Sequence, residues 1–141
     1  MIMLDSFRFH HIGIAVKSIE KTAQVYENGG FERNRTILDQ NQHVNICWLT
    51  KEGMPTMELI EPEDEKSPIS QVLGKNKSMF YHTCYVVDNI IVAIEELREQ
   101  NYVQVSHPVE AAAMNGSRAC FMFNKNIGLI ELVEHPAEIT V

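Results

Sequence analysis

The chain has 141 residues, 45% of them hydrophobic and 22% charged, with a formal charge of −7. That is the composition of an ordinary globular domain, and so acidic a surface excludes nucleic acid and anionic membranes as generic partners. No apolar run approaches the roughly 18 residues that span a bilayer, and MIMLDSFRF carries an early Asp5 with no basic stretch before an apolar core, so neither an anchor nor a secretory leader is expected.

Residues 1–6 read as a lead-in. Phe9–Val16 is an apolar run interrupted by two histidines, the pattern of a buried strand. Ser18 then supplies an N-cap, Ile19, Ala23 and Tyr26 recur at helical spacing, and Gly29-Gly30 supplies the stop. Arg33–Asp39 is a strand or an irregular crossing. Val44–Thr50 (VNICWLT) is rich in β-branched and aromatic residues, and the turn at EGMP returns the chain as a strand over Thr56–Glu61. The segment 63–78 is polar and bounded by prolines, a linker in which Ser67 and Pro68 can start a short helix. The order then repeats: strand Phe80–Val87, helix Asn89–Gln100, strand Tyr102–Ser106, and a last pair over Arg118–Asn124 and Gly128–Glu134, with Pro136 ending the last strand and a short tail over His135–Val141.

Two offsets express the repeat. A shift of 71 lays His11 on His82, Val16 on Val87, Ser18 on Asn89, Ile19 on Ile90 and Phe31 on Tyr102. A shift of 73 lays Glu58 of MELIEP on Glu131 of IELVEH. The chain therefore reads as an α+β duplication: two βαβββ modules, 7–62 and 79–135, in one domain over 1–141. Halves of about 70 residues are marginal alone, so a shared core is expected.

Each copy carries a histidine early and a glutamate late, both set in apolar strands. Burying two carboxylates and two imidazoles costs several kcal/mol unless something compensates, and a divalent metal compensates all four at once. A mixed nitrogen and oxygen set suits zinc, nickel, cobalt, manganese or iron. His11, Glu58, His82 and Glu131 are accordingly the candidate ligands around one cup. Alternation along the strand turns His10 away from His11, and His43, His107 and His135 fall at strand ends or loops, exposed to solvent. Cys47, Cys84 and Cys120 lie in apolar strands as reduced core thiols, the usage of a cytoplasmic protein.

HHIGIAV, MELIEP, YHTCYVVDNI and LIELVE resemble the vicinal oxygen chelate (glyoxalase/bleomycin resistance/dioxygenase) superfamily, within its methylmalonyl-CoA epimerase and glyoxalase I branch. The resemblance covers about residues 9–134, including the SPISQVL linker. It implies a cupped mixed sheet around one divalent metal, and an epimerase or isomerase that moves an α-proton next to a metal-bound carbonyl. It also implies Glu131 as the base with Glu58 as its counterpart, and a homodimer that covers open sheet edges. Asn45 stands where some epimerases have an acidic second base, and Arg118 holds the matching place in the second copy. These two are the candidate substrate contacts, with Arg33 and Arg35 as further anion contacts. The substrates implied are an acyl-CoA thioester or, for a lactoylglutathione lyase of the glyoxalase I kind, a hemithioacetal. A small-molecule binding or resistance module is the alternative of another class.

Overall fold

A computed structural model describes residues 7–141, so the lead-in 1–6 lies outside the described residues. Strand β1 (Arg8–Val16) passes into helix α1 (Ile19–Asn28), where the Ser18 hydroxyl accepts from the Lys21 N–H at 3.1 Å. Strands β2 (Glu32–Arg33), β3 (Ile37–Asp39), β4 (Val44–Thr50) and β5 (Met57–Pro62) complete the first half. Helix α2 (Pro68–Leu73) follows, capped by Ser67. The second half runs β6 (Ser78–Val87), α3 (Ile90–Glu99), β7 (Val103–Gln104), β8 (Val109–Glu110), a 3-10 turn at Ala112–Met114, β9 (Arg118–Asn124) and β10 (Gly128–Glu134). Asn89 caps α3 as Ser18 caps α1, its Oδ1 accepting from the Val92 N–H at 3.1 Å.

The strands form one mixed sheet in the order β2-β4-β5-β1-β6-β10-β9-β7, with β3 on β4 and β8 on β9. Its seam is the antiparallel pair β1–β6. Each seam strand is flanked on its outer side by a parallel one, β5 beside β1 and β10 beside β6. In that pairing Gly13 stands opposite Glu58 and Cys84 opposite Glu131, so the sequence repeat is also a repeat of register.

Two differences from the sequence reading have local causes. The crossing over 33–39 splits in two, because β2 pairs with Leu49 and Thr50 whereas β3 pairs with Val44–Ile46 at the other end of β4. The strand expected over Tyr102–Ser106 shrinks to Val103–Gln104: the Ser106 hydroxyl accepts the Phe121 N–H at 2.9 Å in place of a ladder carbonyl. The last strand stops before Pro136, and the tail beyond it packs back on the fold. Ala137 is buried, and the Thr140 N–H donates to the Ala113 carbonyl at 2.9 Å.

Side-chain alternation sorts the sheet into two faces. On the cup face Ala15, Ile46, Trp48 and Ile60 of the first half pack with Cys84, Val86, Ala119 and Val133 of the second. The Trp48 indole N–H also crosses between halves to the Ala113 carbonyl at 3.0 Å. On the opposite face each half keeps its own layer, with Ala23 of α1 packed over Val16, Leu49 and Leu59, and Leu97 of α3 over Met122 and Leu132. The shared core is therefore the cup, and it is where the repeated histidines and glutamates point.

Gly13 is placed by a close approach across the seam. A Cβ there would run into the His82 ring, 2.6 Å from its Nε2, and the ring is held by buried neighbours that cannot yield. Gly13→Ala should therefore destabilise the fold by about 1–3 kcal/mol, the usual penalty of overpacking. A denaturant titration followed by Trp48 fluorescence checks this, and an unchanged midpoint would contradict it.

Candidate functional site

Four side chains from four strands meet at the floor of the cup: His11 from β1, Glu58 from β5, His82 from β6 and Glu131 from β10. None is more than 3% exposed. His11 Nε2 lies 3.1 Å from Glu58 Oε1, 3.2 Å from His82 Nε2 and 3.3 Å from Glu131 Oε1. His82 Nε2 is 3.3 Å from Glu58 Oε1 and 3.2 Å from Glu131 Oε1. Among the described residues one donor atom from each of the four lies within 4.8 Å of all the others.

These spacings match donors sharing one ion. Ligands about 2.1 Å from a centre and 90–109° apart are roughly 3.0–3.4 Å from each other. Glu131 Oε1, although close to both imidazoles, is buried and oriented for no hydrogen bond, a costly state for an isolated oxygen. As metal ligands the two imidazoles are neutral, so the set carries a charge of −2, which a divalent ion balances. The donor set, its spacing and the orphaned oxygen all fit a divalent ion.

The local chemistry explains which glutamate of each repeat enters the cup. In MELIEP and IELVEH two glutamates stand three apart, so alternation sends them to opposite faces. Glu58 and Glu131 face the cup. Glu61 and Glu134 face the helices, accepting the first backbone N–H of α1 from Ile19 at 2.7 Å and of α3 from Ile90 at 3.0 Å. A carboxylate is well placed there, against the positive end of a helix.

Protons respond to the same crowding. Burial opposes a charged His11, but the carboxylates of Glu58 and Glu131 outweigh it and push the imidazole up to about 9. His82 is raised for the same reason, by Glu131 and then Glu58 against the effect of burial. Burial would raise both glutamates, yet the two imidazoles hold them below the usual carboxylate range. Cys84 stays a packed thiol, pushed well up by burial and by the two carboxylates.

A cavity of about 430 Å³ opens above Glu58, His82 and Glu131, within the range of small-molecule sites. Its walls are mainly apolar, with Ile46, Ile60 and Ile69 on one side and Val109, Ala119 and Phe121 on the other. The linker helix, read from sequence as a connection, forms part of this wall through Pro68 and Ile69. Tyr81, Ser106, His43 and His107 add the polar groups, none of them expected there. The only signal for Tyr81 was its place directly before a candidate ligand.

Both expected substrate contacts lie elsewhere. Val44, Ile46, Ala119 and Phe121 line the cavity, so their strand neighbours Asn45 and Arg118 face the helix side. Arg118 there pairs with Glu134 through two contacts of 3.1 and 3.0 Å. Arg33 pairs with Glu20 at 2.8 Å, and Arg35 reaches the Val141 carbonyl. The offset between the first and second copies matched these positions correctly; what it could not show was which face they take.

His10 is the other correction. It does not turn away from His11, because a bulge between Phe9 and His11 leaves it unpaired in the β1–β6 ladder and re-aims its side chain. Its Nδ1 lies 2.7 Å from His11 Nδ1 and its Nε2 lies 2.6 Å from the Ala137 carbonyl oxygen.

A paired βαβββ sheet with a two-histidine, two-carboxylate centre at its seam defines a class, and comparison with known proteins agrees with it. Residues 10–121 match the Glyoxalase/Bleomycin resistance protein/Dioxygenase superfamily, and the chain belongs to that family. It is 33% identical over 129 residues to the mitochondrial methylmalonyl-CoA epimerase of Homo sapiens, covering 89% of this chain and 72% of that protein. The structure of methylmalonyl-CoA epimerase from Mycobacterium tuberculosis superposes with a TM-score of 0.78 at 26% identity, over 90% of this chain and 87% of that one. A variant of the Streptomyces coelicolor methylmalonyl-CoA epimerase in complex with 2-nitronate-propionyl-CoA gives 0.78 at 28%, over 92% and 98%.

The proton balance of the donors sets a pH test for the metal-free protein. A His11 held up to about 9 in the fold, against its usual 6.5, binds its proton more tightly folded than unfolded. Its contribution to stability is complete below 6.5 and is lost as pH rises through about 9. The melting temperature without metal should fall by about 10 °C over that window, and saturating zinc should remove the fall. A flat profile without metal would contradict the arrangement.

Proposed function

We propose that this chain is an isomerase of the methylmalonyl-CoA epimerase type. It removes the proton from the carbon next to the carbonyl of an acyl-CoA thioester and returns a proton to the opposite face. One observation carries the reading: the pseudo-two-fold at the β1–β6 seam brings Glu58 and Glu131 to the same centre from opposite halves of the sheet. Inverting a carbon needs a proton acceptor on one side and a donor on the other, and a duplicated fold supplies both. Glu131 is the base in this reading and Glu58 its counterpart.

A divalent ion held by His11, Glu58, His82 and Glu131 (zinc, nickel, cobalt or manganese) supplies the positive charge that lowers the energy of the enolate. The chain's own groups do the rest. Ile46, Ile60, Ala119 and Phe121 keep water from the reacting carbon, and Tyr81 and Ser106 offer hydrogen bonds to the substrate. The hemithioacetal reading is weaker, because the similar proteins that carry a named activity are methylmalonyl-CoA epimerases. A pure binding module has no use for four converged donors. Buried free thiols at Cys47, Cys84 and Cys120 suit the reducing cytoplasm. Among the described residues no helix is long and apolar enough to cross a membrane.

The modules 7–62 and 79–135 act as one domain in this reading, with 63–78 as wall and linker, and the chain works as a homodimer. The outer strands β2 and β7 have two residues each, too short to be an edge that needs covering. The face that needs a partner is the strip between α1 and α3, where Phe9 and Phe80 are 49% and 62% exposed on the two seam strands. A second copy laid on that strip buries both rings.

Three outcomes test the proposal. Wild-type protein should carry about one divalent ion per chain by elemental analysis and His82→Ala close to none; equal content would remove the metal from the reading. With metal saturating, Glu131→Gln and Glu58→Gln should each slow solvent deuterium entry at the α-carbon of methylmalonyl-CoA by about 10²–10⁴-fold, the usual loss for a general base. Wild-type exchange in both variants would place the base elsewhere. Light scattering should give twice 16.1 kDa, moving to the single-chain mass in Phe80→Asp, and a wild-type monomer would refute the dimer.

A further inference from the structure

We propose that His10 is a positioning residue that fixes the tautomer of His11, so that Nε2 of His11 presents its lone pair to the metal. The role rests on the metal-centre reading above and follows from counting protons along one chain of contacts. The Ala137 carbonyl can only accept, so His10 Nε2, 2.6 Å away, carries a hydrogen. A neutral His10 then has its lone pair on Nδ1. That atom lies 2.7 Å from His11 Nδ1, and two lone pairs cannot face each other at hydrogen-bond distance, so the His11 Nδ1 carries the hydrogen between them. In the metal-loaded protein the remaining lone pair of His11 is on Nε2, where the ion would take it up beside Glu58 Oε1 and His82 Nε2, 3.1 and 3.2 Å away. A backbone carbonyl in the tail thus sets, through two rings, which nitrogen of His11 faces the centre.

The geometry is built to hold. The bulge that frees His10 from the ladder is what puts neighbouring rings on one side of β1. The indole of Trp48 packs edge-on against both, at 5.9 Å from His10 and 4.8 Å from His11. The second half has the mirror bulge, with Tyr81 left unpaired between the Gly13–His82 and Ile14–Phe80 pairs, but it has no such brace. Tyr81 lines the cavity, and the buried His82 Nδ1 has no hydrogen-bond partner among the described residues. The two halves of the centre are unequal: one histidine is oriented by a hydrogen-bonded chain, the other by packing against Gly13 and Phe121.

Partners of metal-bound histidines typically account for 10–100-fold in metal affinity. His10→Leu removes the acceptor and should weaken zinc binding by about that factor in a chelator competition. His10→Asn places an amide oxygen where Nδ1 stood and should bind within about threefold of wild type. Nitrogen-15 NMR of the zinc-loaded wild type supplies a readout that loose packing would not produce: His11 bound through Nε2, with a scalar coupling across the hydrogen bond between the two Nδ1 atoms. Zinc affinity unchanged in His10→Leu, or His11 bound through Nδ1, would overturn the role of His10 alone. If His10→Leu fails to fold, the Asn variant and the wild-type spectrum still decide. A wild type that takes up no zinc would overturn the metal centre itself, and the role of His10 with it.

Discussion

The structure depends on two carboxylates and two imidazoles packed within hydrogen-bond distance of each other under an apolar cup. Four such groups, none more than 3% exposed, cannot be held by one half of the chain, because each half supplies only one of each kind. The antiparallel β1–β6 seam brings the halves together. The parallel strands on either side set the depth at which the glutamates enter, one opposite Gly13 and the other opposite Cys84. Burial of uncompensated charge is expensive, so the site and the shared core stand or fall together: a cation held by the two carboxylates would also tie the halves to each other.

Duplication supplies symmetry, and departures from it supply specialisation. The seam carries two bulges at equivalent places, freeing His10 in one strand and Tyr81 in the other. One of these residues turns inward to brace a neighbouring ring; the other lines the space a substrate would fill. The partner positions two residues beyond each histidine also differ. Gly13 leaves room for the His82 ring, and Cys84 fills the equivalent place as a closed thiol. A centre that is two-fold in its donors is therefore one-sided in its surroundings, which suits an asymmetric substrate.

The two faces of the sheet divide the polar work. On the helix side Glu61 and Glu134 satisfy helix N-termini, and Arg118 is held by Glu134. Those groups maintain the fold and are unavailable to a ligand. On the cup side, among the described residues, no arginine or lysine lines the cavity. A substrate whose phosphates lie far from its reacting carbon, as in an acyl-CoA, can leave them in solvent.

The sequence by itself determined the duplicated βαβββ order, the helix caps and the identity of the four converging residues. It could do so because each was written twice: a residue that recurs at offsets of 71 and 73 in an apolar strand is legible without coordinates. It also separated Glu58 from Glu61, since alternation is a local property of the backbone. Only the tertiary structure decided what depends on the register between distant strands. The bulges that turn His10 inward exist only in the β1–β6 ladder, and the tail carbonyl that His10 meets is 127 residues away. The face taken by Asn45 and Arg118 follows from which side of β4 and β9 the two halves close over. A linker becomes a cavity wall for the same reason: Pro68 and Ile69 are ordinary in sequence and acquire their role only when the halves enclose the space between them.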